Sequence, residues 1–240
     1  MALLEMTNVR KRFSGLTVSN NLSCSVNEGE IVGLIGPNGS GKTTLFNLIS
    51  GFHTPDKGKI QFRGENITGL QPHIICKKGI ARTFQIVKPF PKLTVFRNIR
   101  IAAYNLVADK RAASQKTDQV IETVNFDKER NMLPSHLTIG GLKKLEFARA
   151  LATEPKLILL DEIMAGLNPA EQDSMIEIIR KINAGGITVF VIEHHMKVIM
   201  SLSHRVIVLN YGVKIAEGSP EQVSRNDEVL KAYLGGSKAC

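Results

Sequence analysis

The chain has no tryptophan and few aromatic residues of any kind. Binding single strands by base stacking needs flat rings, so a protein built on that chemistry is disfavoured and no nucleic-acid partner is expected. Its three cysteines, Cys24, Cys76 and Cys240, are scattered and odd in number. They offer neither metal-ligand spacing nor a disulfide framework, so a reducing compartment is the expectation. No apolar run approaches the roughly 20 residues of a membrane span. The opening Met1-Ala2-Leu3-Leu4-Glu5-Met6 has no basic stretch ahead of its apolar residues, so no secretory signal is expected. Any membrane role is then expected to come through partners. There is no internal repeat, no low-complexity linker and no basic block longer than Arg10-Lys11-Arg12.

A hydrophobic content of 43% supports a packed core and excludes a disordered chain. The formal net charge of +9 suits an anionic ligand, a membrane surface or nucleic acid without choosing among them.

Chemistry first shows at Gly36-Pro37-Asn38-Gly39-Ser40-Gly41-Lys42-Thr43, which fits G-x-x-x-x-G-K-[ST]. Glu30 to Ile35 before it reads as a buried strand. Thr44 to Ser50 after it is apolar at helical spacing and stops at Gly51. A glycine-rich loop between a strand and a helix N-terminus turns several N–H groups toward one phosphate, and the helix dipole adds positive charge there. Lys42 is expected to reach the β- and γ-phosphates, and Thr43 to offer its hydroxyl to Mg²⁺, with Thr44 beside it. ATP and Mg²⁺ are the expected ligands.

Strands are expected within Leu3–Val26 and at Lys59–Phe62, a helix at Leu70–Lys78, and an extended stretch at Gly79–Phe84. From about Ile86 the character changes. Pro89 and Pro91 mark a loop, and Thr94–Leu106 and Ala112–Val124 have helical periodicity around the polar run Asp109-Lys110-Arg111. Pro155 restarts the core: strand to Asp161, helix Pro169–Lys181, strand Ile187–Ile192, helix His194–Ser201, strands Arg205–Leu209 and Val213–Glu217, helix Asp227–Leu234. The alternation predicts an α/β fold with a largely parallel sheet.

Leu157-Ile158-Leu159-Leu160-Asp161-Glu162 reads as a core strand that delivers two carboxylates to its C-terminal edge, where ligands of open α/β sheets bind. Asp161 can hold Mg²⁺ and Glu162 can polarise the attacking water of a phosphoryl transfer.

The order of motifs along the chain resembles the ATP-binding subunits of ABC transporters. Gln85 matches the family's Q-loop glutamine, which senses Mg²⁺ and water. Leu137-Thr138-Ile139-Gly140-Gly141 occupies the signature position, Ala165-Gly166-Leu167-Asn168 resembles the D-loop, and His194 falls at the switch histidine. Phe13 stands where an aromatic residue stacks on adenine. Singly, Gln85 is an ordinary loop amide, Phe13 a core aromatic and His194 a surface histidine; their order promotes them. Two departures are evident. Thr138, Ile139 and Gly141 stand where the usual signature has Ser, Gly and Gln, and Ile163 stands where Pro usually follows the catalytic Glu.

The resemblance implies a P-loop ATPase core with an antiparallel β subdomain and an inserted α-helical signature subdomain. The whole of 1–240 then forms one domain, with core segments 1–85 and 153–240 and the helical part at about 86–152. It also implies that Thr138, Gly140 and Gly141 act in trans on the nucleotide of a second ABC ATPase subunit, identical or different. Without the signature Gln, a weak homodimer and a different physiological partner chain are expected.

Thr83-Phe84-Gln85, Leu93–Ile99, Ala165–Pro169, Ile192-Glu193-His194 and Ala232-Tyr233-Leu234-Gly235 resemble the branched-chain amino acid uptake group. That implies a peripheral ATPase on the cytoplasmic face of the membrane, seated on two integral-membrane permease subunits and fed by an extracytoplasmic solute-binding protein. The segment from Gln85 to Phe96, with Lys88 and Lys92, is the expected permease contact. The motifs leave open an exporter or lipid-extraction ATPase, a soluble ABC ATPase acting on ribosomes or DNA, and a regulatory half that hydrolyses poorly.

Overall fold

The computed structural model describes residues 2–234; Gly235 and Cys240, named above, lie outside the described residues. In chain order the elements begin with β1 (Ala2–Phe13), β2 (Leu16–Asn27), β3 (Ile31–Ile35), α1 (Lys42–Ile49), β4 (Lys57–Phe62), β5 (Glu65–Asn66) and α2 (Pro72–Lys77). Next come β6 (Ile80–Arg82), α3 (Val95–Ala103), α4 (Lys110–Thr123), α5 (Ile139–Leu151), β7 (Leu157–Asp161) and α6 (Pro169–Ala184). The chain ends with β8 (Thr188–Ile192), α7 (Met196–Leu202), β9 (Arg205–Asn210), β10 (Val213–Gly218), α8 (Pro220–Ser224) and α9 (Asp227–Leu234). The contacts divide them into two compact units: residues up to Ile75 together with those from Thr188 onward, and Cys76–Ile187.

The first unit holds two sheets. An antiparallel sheet runs in the order β2-β1-β4-β5, and β3 lies parallel to both β8 and β9, with β10 closing antiparallel on β9. β3 and β8 are buried at every position, as strands covered on both faces must be, and their residues are accordingly almost all aliphatic or aromatic. Leu45, Phe46, Leu48 and Ile49 turn the apolar side of α1 inward, and the Phe46 ring lies 5.2 Å from that of Phe190 on β8. Burying side chains of this size contributes about 1.5–3 kcal/mol each.

The second unit holds the parallel pair β6–β7 with α3, α4, α5 and α6. Helix starts follow short polar side chains: Thr94 caps α3, Asp109 caps α4 and Thr138 caps α5, while Asn168 and Glu171 close a reciprocal capping box on α6. The contacts group β6, β7 and α6 with the helical stretch expected from the sequence at about 86–152.

Several boundaries differ from the sequence reading. Asp109 is a cap and Lys110-Arg111 form the first turn of α4, so the polar run belongs to the helix and not to a linker. α7 begins at Met196 because His195 is extended, at φ −79° and ψ 97°; His194 therefore precedes the helix instead of opening it. β4 starts at Lys57, two residues before the expected Lys59, and α8 was not anticipated.

Candidate functional site

In the first unit the phosphate loop leaves β3 at Ile35 and enters α1 at Lys42. Gly36 needs to be glycine: a Cβ there would stand 2.1 Å from the Leu209 carbonyl oxygen and 2.7 Å from Ser40 Oγ. Backing is provided from the β9–β10 turn, where Gly212 N–H donates to the Ser40 carbonyl. Lys42 is 6% exposed, and its ammonium donates to the carbonyls of Gly36 (2.8 Å) and Pro37 (3.0 Å). That cation lies folded over the loop it follows. No side chain caps α1, since Gly41 occupies the cap position, so a ligand is the natural acceptor for the helix's first N–H groups. Ser40 Oγ is buried with no partner, a polar atom left for a ligand of the loop.

Thr43 is exposed and Thr44 half-buried on the first turn of α1. Phe13 ends β1, its ring 5.0 Å from His53 in an edge arrangement and the Lys11 ammonium 5.3 Å from its centre. His194 is exposed in the bend after β8, and Glu193 before it is buried.

The second unit assembles Gln85, Asp161, Glu162 and the signature residues among elements far apart in sequence. β7 ends at Asp161, whose N–H donates to Thr83 Oγ1 (3.1 Å). Its carboxylate pairs with Arg82 at 2.9 Å, the two side chains being only 3% and 5% exposed. Burial raises the Asp161 pKa, and the Arg82 hydrogen bond and charge oppose the shift without cancelling it. The next residue, Glu162, adopts φ +50°, a left-handed conformation uncommon for a side-chain-bearing residue. Gln85 Nε2 donates to Glu162 Oε2 at 2.7 Å. Ile163 is 1% exposed, so the residue standing in place of the usual proline fills core space.

At the N-terminus of α5, Thr138 Oγ1 accepts from Gly141 N–H (3.0 Å) while Ile139 is 62% exposed. A Cβ on Gly140 would come within 2.4 Å of Glu171 Oε1, so a larger residue there displaces the side chain that closes the α6 capping box. Thr138, Gly140 and Gly141 line a cleft of about 320 Å³ together with Asn168 and Glu171.

Sequence reasoning missed Arg82, Lys143 and Glu146. Lys143 and Glu146 are each 7% exposed, and Lys143 donates to the carbonyls of Gln85 and Glu162. The available signal was the spacing of three among the charged residues Lys143, Glu146 and Arg149, in a helix whose other residues, Lys144 apart, are apolar or glycine.

The oxygens that the sequence reading offers to the cation, the Thr43 hydroxyl in the first unit and the Asp161 carboxylate and Gln85 amide oxygen in the second, are each hard donors of the kind that Mg²⁺ takes. Among the described residues there is no cluster of three or more His, Cys, Asp or Glu, so such a cation would draw its remaining ligands from nucleotide and water. No described helix is long and apolar enough to cross a membrane.

Residues 19–165 match the family model for the ABC transporter, and residues 213–239 that for the branched-chain amino acid ATP-binding cassette transporter. The chain is 39% identical to the high-affinity branched-chain amino acid transport ATP-binding protein BraF of Pseudomonas aeruginosa, covering 97% of this chain and 98% of that protein. It is 38% identical to the LivG protein of the same description from Salmonella typhimurium, with the same coverage. The lipopolysaccharide export system ATP-binding protein LptB of Haemophilus influenzae is 36% identical over 98% of each chain. Among solved structures, a nucleotide-free ATP-binding cassette from an ABC transporter superposes with a TM-score of 0.89 at 30% identity, covering 97% of this chain and 99% of that one.

Proposed function

The chain belongs to the ABC transporter ATP-binding family, and from that premise we propose that it is the ATP-hydrolysing subunit of an importer for branched-chain or related amino acids or amides. The observation that carries the substrate class is the match of residues 213–239 to the branched-chain cassette model, a segment separate from the motifs shared by the whole family.

In this reading the loop from Gly36 to Thr44 holds the phosphates of ATP, with Lys42 leaving its two carbonyl partners to meet the β/γ-phosphates. Phe13 stacks on adenine. Thr43, Asp161 and Gln85 hold Mg²⁺, which when bound neutralises the charge that builds on the phosphate oxygens. Glu162 polarises the attacking water, and Gln85 orients its carboxylate through the hydrogen bond already present. His194 joins at the γ-phosphate. Thr138, Gly140 and Gly141 act on the ATP of a second ATPase chain, since a helix N-terminus has N–H groups to offer an anion.

Two permease subunits in the membrane are the proposed seat, contacted through the loop from Gln85 to Phe96. Pro89 and Pro91 give that loop its irregular course, and Ile86 is 71% exposed there. An extracytoplasmic binding protein supplies the solute. The chain is placed by this proposal on the cytoplasmic face of the membrane.

The test is uptake of labelled leucine into vesicles that contain the candidate permeases, with ATP and binding protein supplied and this chain present or omitted. Uptake that needs this chain and fails with Glu162→Gln supports the proposal. A second reading, export or extraction of a lipid, is favoured only by the similarity to LptB. ATP-dependent uptake of no amino acid, with lipid release instead, would select it.

A further inference from the structure

Gln85 is bracketed by α5. On its N-terminal side, Phe84 N–H donates to Glu146 Oε1 at 2.5 Å. Its own carbonyl accepts from Lys143 Nζ at 3.2 Å, and the same ammonium donates to the Glu162 carbonyl at 3.1 Å. Gln85 Nε2 then closes the circuit on Glu162 Oε2. Arg149, a further turn along, donates to the Lys88 carbonyl at 3.0 Å and sets its guanidinium 5.2 Å from the Phe90 ring. Lys143, Glu146 and Arg149 are spaced three apart, so they form one stripe down one face of α5.

We propose that Lys143 and Glu146 are positioning residues that fasten the helix bearing the signature to the backbones of Phe84, Gln85 and Glu162. The inference rests on the roles proposed above for Gln85 and Glu162.

Physical chemistry gives this clamp its strength. All three bonds are charge-assisted and both charged side chains are nearly buried, where such bonds are less screened than in water. Burial raises the Glu146 pKa, opposed by the Phe84 N–H and the neighbouring Lys143, Arg149 and Arg82 charges. Its second oxygen has no partner, so the carboxylate is committed to the Phe84 amide alone. The Glu162 carbonyl has two lone pairs and uses both, for Ala165 N–H (3.2 Å) and for Lys143. Lys143 therefore helps hold a residue whose left-handed backbone would otherwise relax. A displacement of α5 must carry both peptide segments with it, or break these bonds. The signature end of α5, which meets the other chain in the proposed dimer, is thereby tied to the carboxylate proposed to polarise water.

The experiment uses the full chain with Lys143→Met, which keeps the aliphatic stem and helix propensity, and Glu146→Leu, with Lys143→Arg as the conservative variant and Glu162→Gln as control. Hydrogen exchange on nucleotide-free protein reads the clamp directly. Exchange of the amides from Phe84 to Lys88 is expected to speed up in the first two variants, with other segments unchanged. Turnover number is expected to fall about ten- to a hundredfold with KM for ATP little changed, the scale of a small misplacement of catalytic groups. Lys143→Arg is expected to recover part of both. Wild-type exchange and turnover in Lys143→Met and Glu146→Leu would overturn the inference while leaving the ATPase site intact. Normal turnover in Glu162→Gln would instead overturn the role given to Glu162, and this inference with it. General loss of protection across α3 and α4 would mark the stripe as a folding element only and would also overturn it.

Discussion

Gln85 and Glu162 are 77 residues apart in sequence, yet the amide of one donates to the carboxylate of the other at 2.7 Å. This pair fixes the direction of the Glu162 carboxylate before any nucleotide arrives. Gln85→Leu removes the donor and keeps the approximate volume. Affinity for ATP without Mg²⁺, by calorimetry, is expected to stay near wild type while steady-state turnover falls at least tenfold, the scale of a misplaced catalytic group. Wild-type turnover would show that Glu162 needs no help from Gln85.

Lys42 is expected to be indispensable for binding. Its ammonium satisfies two loop carbonyls and is the only charge the loop itself supplies. Lys42→Ala removes the cation that would face the phosphates, and useful ATP affinity should vanish in a calorimetric titration. Retained affinity would contradict the assignment of this loop.

The Arg82–Asp161 pair is buried on both sides. Arg82→Met leaves an unpaired carboxylate in the interior, at a cost of about 3–5 kcal/mol in urea unfolding. The pH signature is also defined. Burial already raises the Asp161 pKa above its unfolded value. In the interval between the two values the folded state holds more proton than the unfolded state, so stability falls as pH rises through it. The variant should steepen that fall. A flat pH profile in the variant would mean that Asp161 finds another partner.

Glu30 and Arg205 should show the opposite slope. Arg205 meets Glu30 through Nε at 2.7 Å and through Nη2 at 2.8 Å, and also pairs with Glu217. Burial pushes the Glu30 pKa up, but the Arg205 bond and the Asn27 N–H outweigh it, and the net shift is downward. This pair therefore stabilises the fold above the ordinary carboxylate pKa, and its contribution is lost as pH falls through the depressed folded value. Arg205→Met should cost about 1.5–3 kcal/mol near neutrality and less in acid. An equal cost at both pH values would assign the loss to packing.

These residues also show what a sequence discloses. The phosphate loop was legible because its chemistry needs contiguous residues, and the strand and helix that flank it carry their own periodicity. Gln85, Asp161 and Glu162 were legible through motif order. The Arg82–Asp161 pair and the α5 stripe were not, because their partners lie 79 and as many as 62 residues away, and nothing local marks a charge as buried. The expected start of α7 at His194 is two residues early, since helix propensity does not reveal that His195 is extended. α8 escaped notice although Ser219-Pro220-Glu221-Gln222 carries a capping box with proline at its start. The second compact unit takes in β6, β7 and α6, which no shift in composition announces.

The central claim is a switch in which ATP, and not ADP, joins two chains through the N-terminus of α5. ADP lacks the phosphate that would meet N–H groups at the start of the partner's α5, so the two nucleotides differ in contacts across the interface, as a ligand-driven switch requires. Light scattering on the Glu162→Gln protein, with ATP, with ADP and without nucleotide, tests it directly. The account predicts a monomer with ADP or none, a weak dimer with ATP, and a tighter one when the candidate partner ATPase is added. A tight dimer that forms without nucleotide would contradict it.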